Sequence, residues 1–209
     1  MIITKYIHSC LLVETPDRVA IFDPGVMSFS AFDVDKLTQL DDIFVTHIHQ
    51  DHIYIPFMKE LIRKFPNARV TSTDEVVQML QSSGIKASSN PPEGVVFFNA
   101  PHESVEPLFS QPEEIGIHYL NTFTNPGDSH SFNETKEVLA LPITAPWGSS
   151  IKALNLTLEL KPKYVIPIHD WHWNDQARQQ AYEGYSEVLA KENIIMLKPI
   201  TGQSMKIDV

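Results

Sequence analysis

Thr46-His47-Ile48-His49-Gln50-Asp51-His52 places four metal-capable side chains within six residues, and the reading of the whole chain turns on it. Before it runs Ile43-Phe44-Val45, a short apolar, strand-like segment. After it, Ile53 to Phe65 reads as helical, with Pro56 suited to the first turn, where an absent N–H leaves no bond unmade. The motif therefore sits where a buried strand ends and the chain turns. Residues two apart on an extended backbone share a face, so His47 and His49 project together. Asp51 and His52 fall on the turn, free to point at a second centre close by.

This order of ligands resembles the His-x-His-x-Asp-His signature of the metallo-β-lactamase superfamily, and the likeness continues along the chain. Leu11-Leu12-Val13-Glu14 followed by Ile21-Phe22-Asp23-Pro24-Gly25 resembles the opening meander that ends in an Asp-Pro turn. Ala100-Pro101-His102 is similar to the third segment, Pro126-Gly127-Asp128-Ser129 to the Gly-Asp-Thr/Ser turn, and Ile166-Pro167-Ile168-His169 to the final histidine after a strand. The resemblance implies that His47, His49 and His102 hold one metal ion. Asp51, His52 and His169 would hold the other, with Asp128 bridging. It implies an α+β fold, the four-layer αββα sandwich, with the metal site along one edge between two sheets. Within the superfamily the chain is most similar to the UlaG-like small metal-dependent hydrolases, a group that includes lactonases acting on sugar-acid phosphates. That likeness rests on the early Asp-Pro-Gly turn, Gln111-Pro112-Glu113-Glu114-Ile115-Gly116 before a strand, and Leu141-Pro142-Ile143 running into Trp147-Gly148. The group usually has Gly-His-Ser at its second strand, whereas here Ile7 precedes His8-Ser9.

The pattern of the chain itself points the same way. Ile2 to Tyr6, Cys10 to Glu14 and Arg18 to Phe22 read as strands, the last two joined by a Thr15-Pro16-Asp17 turn. Asp33 to Leu40 is a weak helix candidate, Ala68 to Ser72 a strand, and Asp74 to Ser82 a helix capped by Thr73 or Asp74. Strands follow at Val95 to Phe98, Ile115 to Leu120, Val138 to Ile143 and Tyr164 to Ile168. Ile151, Leu154 and Leu158 stand at helical spacing behind Ser149, and Asn174 to Lys191 is the best helix. Ile194 to Leu197 and Met205 to Ile207 close the chain as strands. A strand meander comes first, helices alternate with strands later, and every candidate ligand follows a strand. That suits a sheet-on-sheet core with helices outside. No long linker or internal repeat interrupts it, so residues 1–209 are expected to form a single metallo-β-lactamase-like domain.

Composition narrows the partners. The formal charge is −10 with no run of Lys or Arg, so neither nucleic acid nor an anionic membrane surface is expected. One cysteine, Cys10, rules out an internal disulfide and fits a reducing cytoplasm. The N-terminus lacks the apolar core of a signal peptide, and nowhere do 18 apolar residues run together. The sequence is compatible with a homo-oligomer.

Imidazole with carboxylate suits Zn, Mn or Fe better than Ca or Mg, and the expected cofactor is two divalent ions, Zn first and Mn or Fe as alternatives. Five neutral imidazoles and two carboxylates would carry −2, which two divalent ions outweigh even with a bridging hydroxide. Such a site should attract a small anionic substrate and supply hydroxide at neutral pH, with bound water brought to a pKa of ~7. Asp51 is the catalytic candidate, holding that hydroxide by a hydrogen bond. The expected activity is metal-dependent hydrolysis of an ester, lactone or phosphodiester. The alternatives are an iron-dependent redox enzyme of the same fold and a non-catalytic metal-binding protein. His130, His172, Trp147 and Trp171 are candidate substrate contacts, each with a bland alternative as solvated loop or packing residue, as for Trp173. His8 reads as a packed or hydrogen-bonded histidine rather than a ligand, His118 as a strand residue facing away from Ile117 and Tyr119, and Cys10 as a small buried hydrophobe.

Overall fold

Thr15 closes the second hairpin in the computed structural model, which describes residues 1–209. Its hydroxyl donates to Arg18 O at 2.9 Å and accepts from Arg18 N at 3.1 Å, so β2 (Leu11–Glu14) turns back as β3 (Val19–Phe22). By its contacts the chain divides into two compact units, Met1–Glu93 with Pro112–Ile115 and Ile200–Val209, and Gly94–Gln111 with Gly116–Pro199.

The first unit holds β1 (Ile2–Lys5), β2, β3, α1 (Val26–Phe29), β4 (Asp42–Phe44), α2 (Ile55–Lys64), β5 (Arg69–Thr71), α3 (Asp74–Ser82) and β12 (Ser204–Lys206). Its sheet runs β12-β1-β2-β3-β4-β5, antiparallel as far as β3 and parallel from β3 to β5. Register puts Leu12 opposite Ile21, Ile21 opposite Ile43, and Ile43 opposite Val70. That apolar row packs on Phe57, Met58 and Leu61 of α2 and on Val76 and Leu80 of α3, residues at helical spacing. Each such buried side chain contributes about 1.5–3 kcal/mol of hydrophobic stabilisation. Thr73 caps α3 by accepting from Val76 N at 3.2 Å.

The second unit holds β6 (Val95–Phe98), β7 (Gly116–Tyr119), β8 (Phe123–Asn125), β9 (Val138–Pro142), α4 (Ser150–Leu160), β10 (Tyr164–Ile168), α5 (Asp175–Leu189) and β11 (Ile195–Met196). The order is β11-β10-β9-β8-β7-β6, antiparallel from β6 to β8 and parallel from β8 to β11. Leu139, Leu141 and Val165 pack against Ala153 of α4 and Tyr182, Tyr185 and Leu189 of α5. Ser149 and Asn174 cap these helices, accepting from Lys152 N and Ala177 N. Two mixed sheets with helices make the fold α+β, as expected. No helix is long and apolar enough to cross a membrane.

Three elements differ from the sequence reading. The helix expected over 33–40 is one 3₁₀ turn, Val34–Lys36, and Leu37 is already extended. Asp41 accepts from Val19 N at 2.8 Å and from Gln39 at 2.7 Å, so the chain straightens to reach β3. α1 and β8 were not anticipated, being only four and three residues long, too short for periodicity. β8 follows a turn with Leu120 and Asn121 at positive φ, and leucine carries no turn signal. His118 is buried along with both its neighbours on β7, its Nδ1 3.0 Å from Thr124 Oγ1 and its Nε2 2.9 Å from Glu134.

Candidate metal centre

In the first unit the donors come off the end of β4. His52 N and Ile53 N both bond His49 O at 2.9 Å, which winds residues 49–53 into a turn before α2. The turn is cradled by Asp23-Pro24-Gly25, which stops β3. Val26 N bonds Gln50 O at 2.8 Å, and Tyr54 N bonds Pro24 O at 3.1 Å. A Cβ on Gly25 would lie 1.7 Å from the Asp51 carbonyl oxygen, so only glycine lets the two backbones approach. Asp23, fully buried with φ 49, accepts from Thr46 N at 2.8 Å and faces His52 Nδ1 at 3.2 Å. Glu114 faces His47 Nδ1 at 3.2 Å. The Thr46 hydroxyl donates to Asp23 Oδ1 at 3.1 Å and so accepts from His47 Nδ1 at 3.1 Å and His52 Nδ1 at 3.2 Å, which puts the proton of both imidazoles on Nδ1 and the lone pair on Nε2. His47 Nε2 then lies 3.1 Å from His49 Nδ1. On the other side, His8 Nε2 is 2.9 Å from Asp51 Oδ2, and Ser9 Oγ is 3.4 Å from His52 Nε2.

In the second unit the donors come from three separated loops. His102 follows β6, its Nδ1–H bonded to Glu103 O at 2.5 Å, so its Nε2 carries the lone pair. Asp128 follows β8 on a turn made by Gly127 at φ 64 and by Gly127 N bonding Asn125 Oδ1 at 3.1 Å. His169 follows β10 at φ 65. Asp128 meets both histidines, Oδ2 at 3.4 Å from His102 Nε2 and Oδ1 at 2.7 Å from His169 Nε2. Glu103 ties two of the loops together, its amide donating to Asp128 O and its carboxylate accepting from His130 N, Ser131 Oγ and Lys152 Nζ. Burial alone would raise the Glu103 pKa, but those bonds outweigh it and hold the carboxyl below the usual carboxylate range.

Donor atoms around a tetrahedral zinc lie about 3.3 Å apart, which follows from Zn–N distances of about 2.05 Å. The His47–His49 pair at 3.1 Å and the His102–Asp128 pair at 3.4 Å fit that spacing, while His169 and Asp128, at 2.7 Å, stand closer. The chemistry fits too, because imidazoles buried beside carboxylates are the donor set that divalent transition metals take.

The candidate substrate contacts separate. Trp147, half-buried in a turn closed by bonds between Ala145 and Gly148, brings its indole within 5.3–5.8 Å of the rings of His102, His130 and His169. His130 is buried, and its Nε2–H donates to Pro142 O at 2.7 Å. Burial holds its pKa below the usual value despite that bond, which favours the neutral ring. Trp171 and His172 are exposed on the turn after His169, and Trp173 packs against the α5 core instead. Cys10 is buried, which pushes its thiol far above the ordinary range.

Reasoning from sequence missed the residues behind the donors. Asp23 was read only as a turn former and Glu114 as part of a loop; His8, read as packed or hydrogen-bonded, is indeed hydrogen-bonded, but its partner Asp51 was not foreseen. Only Asp-Pro-Gly carried a signal, since a glycine turn at the end of a buried strand leaves room for a close neighbour.

A profile of the metallo-beta-lactamase superfamily matches residues 3–122. A Mycobacterium tuberculosis protein is 27% identical over 180 residues, 81% of this chain and 84% of its own. Among solved structures, a metallo hydrolase from the archaeon Ignicoccus hospitalis aligns with a TM-score of 0.72 at 18% identity, covering 99% of each chain. A diiron beta-hydroxylase from Streptomyces venezuelae aligns with a TM-score of 0.65 at 11% identity, covering 99% of this chain and 54% of the hydroxylase. These structural likenesses establish the fold.

Proposed function

The chain belongs to the metallo-beta-lactamase superfamily, and on that footing we propose that it is a metal-dependent hydrolase of a small, anionic ester, lactone or phosphodiester. The observation that carries this reading is Asp128, whose two carboxylate oxygens each face a different buried histidine, the posture of a bridging ligand. The ligand assignment follows the family resemblance: His47, His49 and His102 for one ion, Asp51, His52 and His169 for the other, Asp128 shared. Bound divalent ions would supply a Lewis acid and bring a water to a pKa of ~7.

The protein's own groups prepare for that chemistry. Thr46 keeps the protons on Nδ1 of His47 and His52, and the carboxylates of Glu114 and Asp23, each 3.2 Å from one of those nitrogens, raise the basicity of Nε2. The Trp147 indole offers an aromatic surface beside the rings of His102 and His169. His130 is anchored by its Nε2–H bond to Pro142 O, which fixes its ring beside Trp147. We assign the chain to the UlaG-like hydrolases on the Gln111–Gly116 and Leu141–Gly148 segments, and place it in the cytoplasm on its single, buried cysteine.

The test is elemental analysis of protein purified without added metal, wild type beside His49→Ala, joined to a panel of lactones, esters and phosphodiesters. About two equivalents of Zn or Mn, reduced in the variant, with metal-dependent turnover of one class, is the expected result. Iron with oxygen consumption would move the chain to redox chemistry, as in the diiron hydroxylase it resembles in fold. Stoichiometric metal with no turnover on any substrate would make it a binding protein.

A further inference from the structure

We propose that His8 is the positioning residue for Asp51, and through Asp51 for the metal ion assigned to Asp51 and His52; this rests on the metal reading above. The bend Ile7-His8-Ser9 touches two consecutive residues of the metal motif with two consecutive side chains, His8 on Asp51 and Ser9 on His52. The contacts span 43 residues of sequence, so no local turn explains them.

The backbone of His8 sharpens the case. Its φ is 64, in the left-handed region that glycine takes freely and a residue with a Cβ takes at a cost. The bend is closed by Tyr6 N on Cys10 O at 2.9 Å and clasped from α1 by Ser28 Oγ donating to Ile7 O at 2.5 Å. A glycine would suit this backbone better, so the side chain must contribute something there. What it contributes is an N–H, because the Asp51 carboxylate can only accept. The ring is wholly buried and stands edge-on to His52 at 5.7 Å, so it cannot swing away, whereas the Asp51 side chain is 26% exposed. A carboxylate at an exposed turn would otherwise sample several rotamers. Held at Oδ2 from the buried side, the carboxylate keeps one orientation, with that same oxygen 4.0 Å from His52 Nε2, where the pair would hold an ion. A histidine that fixes a carboxylate ligand is the converse of the usual carboxylate that fixes a histidine ligand, and loss of such a partner typically weakens metal binding about 10–100-fold.

Zinc stoichiometry and affinity, measured by competition with a chromogenic chelator, test this on wild type, His8→Ala, His8→Gln, Asp51→Ala and the His8→Ala/Asp51→Ala double variant, with circular dichroism and thermal melts as controls for folding. We expect folded His8→Ala to bind one of its two zinc ions about 10–100-fold more weakly. His8→Gln, which keeps an amide donor, should recover most of the loss. The double variant should bind no more weakly than Asp51→Ala alone, because His8 acts only through Asp51. If His8→Ala does not fold, His8→Gly, which takes the left-handed backbone without strain, replaces it. Wild-type affinity in the folded variant, or an additive loss in the double variant, overturns the proposal while wild type still holds two ions. Fewer than two ions in wild type overturns the metal reading itself, and the role of His8 with it.

Discussion

The two units present their donors in opposite ways. In the first, His47, His49, Asp51 and His52 lie on one tight turn, and the groups that aim them (Asp23, Glu114 and His8) arrive from elsewhere in the chain. In the second, His102, Asp128 and His169 arrive from three loops, and much of what aims them is the backbone of those loops, through Glu103 O, the Gly127 turn and the left-handed His169. A contiguous turn is ordered by its own hydrogen bonds and needs side-chain partners only to choose tautomers and rotamers. Dispersed loops must each be held by a turn or a tie such as Glu103, so their order depends more on whatever ligand joins them.

The largest effect should come from the carboxylates at the heart of each set. Asp128→Ala and Asp51→Ala are each expected to lower kcat by at least about 10³-fold with little change in secondary structure, several kcal/mol of lost stabilisation of developing charge. Near-normal steady-state turnover in either would remove that residue from the site. Metal removal comes next: at 1,000-fold excess over Kd, bound metal stabilises by roughly 4 kcal/mol, so exhaustive chelation should lower Tm by about 8–16 °C. Hydrogen exchange on the stripped protein sharpens the comparison. Amides around His102, Asp128 and His169 should lose protection more than those of residues 46–52, and equal loss in both would break the contrast drawn above.

Glu114→Gln tests the aiming groups of the first unit. It preserves size but removes the charge opposite His47 Nδ1, and should weaken metal binding by about 10–100-fold in a chelator competition. The smallest effect belongs to Tyr182→Phe in the second unit. The Tyr182 hydroxyl, kept protonated by burial, donates to Asp170 Oδ2, and Arg178 Nε lies 3.2 Å from the same oxygen, so Asp170 keeps one partner when the hydroxyl is removed. About 1 kcal/mol should be lost, a Tm drop of about 2–4 °C, with metal affinity shifted less than tenfold. A larger change in affinity than Glu114→Gln produces would show that side chains, not backbone, aim His169.

Legibility in the sequence followed the range of each signal. His47, His49, Asp51 and His52 were readable because their spacing is local and their residue types are chemically committed. His102, Asp128 and His169 were visible only through flanking segments that resemble the family, since a lone histidine or aspartate on a loop says little. Most strands and helices were found from short-range periodicity and caps such as Thr73, Ser149 and Asn174. The expected helix over 33–40 failed because Asp41 is drawn to β3, a through-space pull that no helical pattern records. Trp147 and Trp171 looked alike in sequence, yet one packs on three histidines and the other is exposed.

The sequence by itself determined the element types, the two strand systems and the donor chemistry, because these depend on neighbours within a few residues along the chain. Tertiary structure alone decided which nitrogen of His47 and His52 carries the proton, which carboxylates stand behind them, and that His8 reaches Asp51. The tautomer depends on Asp23 accepting from the Thr46 hydroxyl across the fold, and the side chains that face His47, His52 and Asp51 lie 29 to 67 residues away along the chain.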